Sequence, residues 1–131
     1  MSANLISVVD DDESVRRTTK LPIESFGYRA TVFESGETLL RLGQLNKMSC
    51  LIVDIQMPGM NGLQLQSQLA IKGWTIPIIF ITAYGSKQVR RRAMQAGAVV
   101  FLEKPFGDEQ LLETIRSTLP RDNGDKATCE V

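Results

Sequence analysis

The sequence predicts a single α/β domain: a parallel sheet with helices on both faces. Two observations carry that expectation. Strand-like and helix-like segments alternate five times along the chain. Several strand-like runs, such as Cys50-Leu51-Ile52-Val53 and Ile78-Ile79-Phe80-Ile81, are apolar throughout rather than at alternate positions. Strands buried on both faces read that way, and parallel sheets are buried on both faces by their crossover helices. A length of 131 residues suits one domain, and 43% hydrophobic residues can fill a core.

Each element follows in order. Leu5 to Val9 is a short apolar run that stops at Asp10-Asp11-Asp12 and predicts a buried strand. Ser14 to Phe26 predicts a helix ended by Gly27, with Pro22 implying a kink or a late start. Arg29 to Phe33 is a strand, and Ser35 is placed to cap a helix holding Leu39, Leu40 and Leu42. The run from Cys50 ends at Asp54 and meets a turn built of Pro58, Gly59, Asn61 and Gly62. Leu63 to Ile71 has helical spacing, and the apolar run opened by Pro77 ends at Thr82. Lys87 to Ala96, stopped by Gly97, predicts a fourth helix. Val99 to Leu102 predicts the last strand, ending at Glu103-Lys104-Pro105. Asp108 is expected to cap a fifth helix from Glu109 to about Leu119. The domain is expected over 1–120, with 121–131 a flexible tail or the start of a linker.

Composition narrows the function. Fifteen basic and 15 acidic residues cancel, so no broad electrostatic footprint for nucleic acid is expected. The chain has no histidine, which removes that residue as base, metal ligand or phosphoryl carrier. Cys50 lies in an apolar run and reads as a small buried hydrophobe, while Cys129 lies in the polar tail. Neither supports a disulfide framework or a zinc site. No signal-peptide pattern and no apolar stretch of membrane-spanning length is visible, so the expectation is a cytoplasmic protein without a membrane partner.

The polar residues capable of chemistry sit where strands run out. Asp11 and Asp12 follow the first strand, Asp54 closes the third, Thr82 the fourth and Lys104 the fifth. In an open parallel sheet these ends share the edge where ligands bind. Carboxylates gathered there repel one another, and a hard divalent cation such as Mg2+, with Mn2+ as a substitute, relieves the repulsion. Asp12 and Asp54 are expected as direct ligands, Asp11 directly or through a water, and Gln56 through its backbone carbonyl. A carboxylate is also a nucleophile toward phosphorus. Asp54 is then the acceptor. Lys104 and the cation bracket the phosphoryl oxygens, Thr82 donates its hydroxyl, and the backbone N–H groups of Gln56 and Ala83 complete the cradle.

Taken together, Asp10-Asp11-Asp12, Asp54 with Met57-Pro58-Gly59 and Gly62, Ile81-Thr82-Ala83, and Lys104-Pro105-Phe106 resemble the receiver domain of two-component response regulators. The resemblance covers about residues 4–119. It implies a flavodoxin-like fold of five parallel strands in the order 2-1-3-4-5 with five helices. It implies a phosphoryl group taken from the phosphohistidine of a sensor histidine kinase onto Asp54. It implies metal acids at Asp11 and Asp12, a conserved hydroxyl at Thr82, the lysine at Lys104 and a switch aromatic at Phe101. The phrase AGAVVFLEKPF looks most like receivers that precede a helix-turn-helix DNA-binding domain, so contact with DNA is expected only through an output domain absent from this chain. A homodimer through the fourth helix, fifth strand and fifth helix is the expected output, using Lys87, Arg90 and the acids Glu103, Asp108 and Glu113. The chain departs from the family pattern at Pro22 and at Arg90-Arg91-Arg92.

Two other classes compete. A phosphatase with an aspartyl nucleophile commonly needs a second acid two residues on, and Gln56 stands there. A degenerate receiver acting as an unphosphorylated scaffold sits poorly with the intact acidic set. The chain is therefore expected to catalyse its own phosphorylation and slow dephosphorylation rather than to turn over a separate substrate.

Overall fold

A computed structural model of the chain describes residues 4–82, 91–92, 94–95 and 100–119. Five strands form one parallel sheet: β1 (Leu5–Val9), β2 (Arg29–Phe33), β3 (Cys50–Asp54), β4 (Ile78–Thr82) and β5 (Val100–Glu103). Their order is β2-β1-β3-β4-β5, as expected. Four α-helices are seen among the described residues: α1 (Glu13–Ser25), α2 (Gly36–Leu42), α3 (Gly62–Ile71) and a C-terminal helix (Asp108–Thr118). A short 3-10 turn at Leu45–Lys47 leads into β3 and was not foreseen. Of the expected fourth helix, Arg91, Arg92, Met94 and Gln95 have helical backbone and are exposed. Lys87, Arg90, Gly97, Ala83 and the tail with Cys129 lie outside the described residues.

Capping sets the helix starts. Asp12 accepts hydrogen bonds from the N–H groups of Ser14 and Val15, so α1 begins at Glu13 and not late. Pro22 falls in the second half of α1, where it lacks the N–H that would reach the Thr18 carbonyl. The helix continues past it, and the Phe26 N–H still reaches the Pro22 carbonyl at 3.0 Å. The Ser35 hydroxyl accepts from the Thr38 N–H at 3.0 Å, as expected. Asn61 and Gln64 form a reciprocal capping box at α3, with both bonds at 2.9 Å. The C-terminal helix departs from expectation. Gly107 is its N-cap, and Asp108 lies inside the first turn beside Glu109. Both carboxylates there face the positive end of the helix dipole.

The sheet separates two cores. Alternate strand residues point to opposite faces. Leu51, Val53, Ile78 and Phe80 pack with Leu39 of α2 and Leu65 and Leu69 of α3. Cys50, Ile52, Ile79, Ile81 and Leu102 pack with Ile23 of α1 and with Leu111 and Ile115 of the C-terminal helix. Cys50 is fully buried, and burial pushes its thiol up to about 12, consistent with an inert core residue. Each large apolar side chain so buried stabilises the fold by roughly 1.5–3 kcal/mol. Helices on both faces leave the carboxyl ends of the strands as an open edge.

Candidate functional site

The register of the sheet builds the site. Val9 pairs with Val53, so one further step along both strands sets Asp10 beside Asp54. Neighbouring strands lie about 4.8 Å apart. Asp10 is fully buried and Asp54 is 6% exposed. Asp11, next along the loop, is exposed. Carboxylate oxygens of Asp10, Asp11 and Asp54 all lie within 4.8 Å of one another. On the other side, the Lys104 N–H donates to the Thr82 carbonyl at 2.8 Å, tying the ends of β4 and β5 together. That tie brings the lysine ammonium over the carboxylates. Its Nζ lies 3.4 Å from Asp10 Oδ2 and 3.6 Å from Asp54 Oδ2.

The group that converges is thus Asp10, Asp11, Asp54 and Lys104. Asp12 is not brought into it: its Oδ1 accepts the Ser14 N–H at 2.8 Å and caps α1. The Asp12 N–H in turn donates to Asp10 Oδ1 at 2.9 Å. Of the expected acids Asp11, Asp12 and Asp54, the structure groups Asp11 and Asp54, with Asp10 in the place expected for Asp12. The available signal was phase. Asp10 continues the alternation of β1 onto the face shared by Ile6 and Val8, whereas Asp12 sits where a helix needs its N-cap.

The loop after Asp54 is held tightly. The Gln56 N–H donates to Asp54 Oδ1 at 3.0 Å, so Gln56 meets Asp54 through its N–H. Gly59 has a φ of 73°, a region that favours glycine. The Gly62 N–H returns to the Ile55 carbonyl at 2.9 Å. A Cβ on Gly62 would stand 2.8 Å from the Asp54 carbonyl oxygen and 2.9 Å from the Ile55 Cα, closer than such atoms approach.

Thr82 ends β4 nearly buried, and its alternation places it on the same face as Phe80. Phe101 stands opposite Phe80 in the register and stacks on it, with ring centroids 5.9 Å apart. Thr82 and Phe101 therefore share one face, with Phe80 as common neighbour. Phe101 is partly buried against the same core as Phe80. On the C-terminal helix, Glu113 pairs with Arg116 of its own helix at 2.7 Å.

Electrostatics single out Asp54. Burial raises its carboxyl pKa from 3.8 to about 6, and the neighbouring charges of Asp10 and Asp11 add to the rise. The Gln56 N–H and the Lys104 ammonium oppose it. Asp10 Oδ2 is buried and accepts no hydrogen bond from the described residues. An all-oxygen donor set with one such oxygen fits a hard divalent cation. It also suits a nucleophile whose charge is only partly compensated.

Comparison with known proteins points the same way. The sequence pattern of the response regulator receiver domain matches residues 6–116. Response regulator protein TmoT of Ectopseudomonas mendocina is 42% identical over 117 residues, covering 88% of this chain and 53% of that protein. Nodulation protein W of Bradyrhizobium diazoefficiens is 40% identical over 118 residues, covering 90% and 52%. Among solved structures, response regulator StyR superposes with a TM-score of 0.82 at 41% identity, covering 90% of this chain and 60% of that one. The chain spans about half the length of the curated relatives it matches.

Proposed function

Since the chain belongs to the response regulator receiver domain family, we propose that it is a phosphoacceptor switch with Asp54 as the acceptor. The observation that supports this most is the approach of Asp10, Asp54 and Lys104 at adjoining strand ends. One Asp54 oxygen attacks phosphorus. The bond from phosphorus to the donor breaks as the new P–O bond forms, giving an acyl phosphate. The donor is the phosphohistidine of a sensor kinase, whose imidazole is the leaving group. Lys104, already beside Asp54, pairs with a phosphoryl oxygen in the product. Thr82 donates its hydroxyl to another. Asp10, Asp11, Asp54 and the Gln56 carbonyl would hold Mg2+. When bound, the ion would offset the carboxylate repulsion and the charge of the transferring group. Asp12 serves this site through its N–H bond to Asp10 and through the α1 cap.

Incubating the metal-free chain with Mg2+ and a small acyl-phosphate donor should add one phosphoryl group by intact mass. An unmodified wild type, or equal labelling of Asp54→Asn, would sink the assignment. The wider role is a cytoplasmic two-component switch, with Thr82 and Phe101 relaying the change to a transcriptional output domain beyond this chain. Self-association through β5, the C-terminal helix and the segment of Arg91 and Arg92 is the proposed readout. Glu113 is already engaged by Arg116, so cross-dimer pairing must compete with that bond. Exposed pairs of this kind contribute roughly 0–1 kcal/mol each. Sedimentation velocity should show phosphorylation-dependent dimers, weakened less than tenfold by Glu113→Lys. Monomers in both states at about 100 µM would reject the dimer while leaving Asp54 as acceptor.

A further inference from the structure

We propose that Arg16 is a positioning residue for this site, one that fixes Asp10 through its backbone; the inference rests on the reading of the cleft as a metal-dependent phosphoacceptor. The chain leaves the sheet at Asp10. Its N–H still reaches the Phe33 carbonyl at 3.1 Å, but Phe33 is the last residue of β2. No strand residue remains there to serve the Asp10 carbonyl. Arg16, in the first half of α1, returns to that point. Its Nη1 donates to the Asp10 carbonyl oxygen at 2.7 Å, in a partly buried bond. A bond from a charged donor is roughly twice as strong as a neutral one.

Asp10 is thereby held at three atoms. Phe33 takes its N–H, Arg16 its carbonyl, and the Asp12 N–H its Oδ1. Only Oδ2 is left directed at Lys104 and the cleft. With the peptide on either side fixed, Oδ2 has little freedom to swing away from the charges beside it. Losing the guanidinium frees the Asp10–Asp11 peptide, and two of the three acids of the group are attached to it. Neighbours that orient metal-binding groups commonly change affinity by about 10–100-fold when removed.

The sign of the effect separates positioning from charge. Arg16 is a cation, so deleting it on electrostatic grounds alone should tighten Mg2+ binding. Loss of positioning should weaken it. Arg17, adjacent and exposed, supplies the charge-only control. Mg2+ titrated calorimetrically into the metal-free chain should bind Arg16→Ala about tenfold more weakly than wild type. Arg16→Lys should fall between them, since an ammonium donates to a carbonyl without the reach of the fork. Arg17→Ala should match wild type or bind slightly tighter. The backbone amide 15N resonance of Asp11, which shares the peptide with the Asp10 carbonyl, should move in Arg16→Ala and stay in Arg17→Ala. If Arg16→Ala does not fold, Arg16→Met, which keeps the apolar stem, decides by the same two measurements. A folded variant with wild-type Mg2+ affinity and an unmoved Asp11 resonance overturns the inference. A wild type that neither binds Mg2+ nor accepts a phosphoryl group instead overturns the functional reading on which it rests.

Discussion

The two ends of the same sheet handle polar groups in opposite ways. At the amino ends of β1 and β3 the described polar contacts are neutral hydrogen bonds. The Leu5 N–H donates to Ser49 Oγ at 3.2 Å, and that hydroxyl donates to Asn4 Oδ1 at 3.0 Å. Backbone bonds from Ser49 to Leu5 and from Arg29 to Asn4 close the edge. At the carboxyl ends, three acids are gathered with one lysine among them. Two unit charges 4.8 Å apart repel by roughly 3.5 kcal/mol at an effective dielectric of about 20. One end therefore holds the fold together, while the other draws on that cohesion to keep a reactive arrangement.

This contrast can be broken most severely at Asp54. Besides losing phosphorylation, Asp54→Asn should be more stable than wild type by about 1–2 kcal/mol at pH 7 without metal. The sign follows from the raised carboxyl. Between about 3.8 and about 6 the folded chain keeps a proton that the unfolded chain has lost. Wild-type stability should therefore fall as pH rises through that window and level off above it. Asp54→Asn should flatten that part of the profile. A mutant less stable than wild type at pH 7, measured by denaturant unfolding, would show that the acids are better compensated than the geometry implies.

Lys104 comes next. Lys104→Ala leaves Asp10 and Asp54 without their cation and should cost about 1–2 kcal/mol in metal-free buffer. Added Mg2+ should recover most of that loss, because it supplies charge at the same place. Equal destabilisation with and without Mg2+ would assign the lysine to packing. At the opposite edge the effect should be smallest. Ser49→Ala orphans the Leu5 N–H and should cost about 1 kcal/mol, with Mg2+ affinity and phosphorylation unchanged. A shift in either would show that the two ends are coupled through the strands.

Much of this was legible in the sequence because strand runs, caps and turn residues are local signals. Cys50 to Asp54, Ile78 to Thr82 and the strand ending at Glu103 appear where their apolar runs stand, and their ends point to Asp54, Thr82 and Lys104 without any contact being known. Asp12 rather than Asp10 was expected among the converging acids; the alternation of β1 marks Asp10 as the one that turns inward, but not which acid of the neighbouring strand it meets. That choice is made by the register of β1 against β3, which is a property of two strands together. Asp108 was misplaced for a related reason: Gly107 takes the cap with no side chain to advertise it. Arg16 was invisible, because its partner is a backbone carbonyl that the sheet leaves without a strand partner where β2 stops short.

Gly62 carries a consequence for how tolerance to mutation is read in this chain. Its Cα is pressed against the Asp54 peptide so closely that no larger residue fits without moving the backbone that bears the acceptor. In a saturation scan scored on signalling, position 62 will rank beside Asp54, and alanine will score no better than tryptophan. Yet glycine contributes no atom to the chemistry. A scan scored on folded yield separates the two, since substitutions at Asp54 keep the protein and those at Gly62 deplete it.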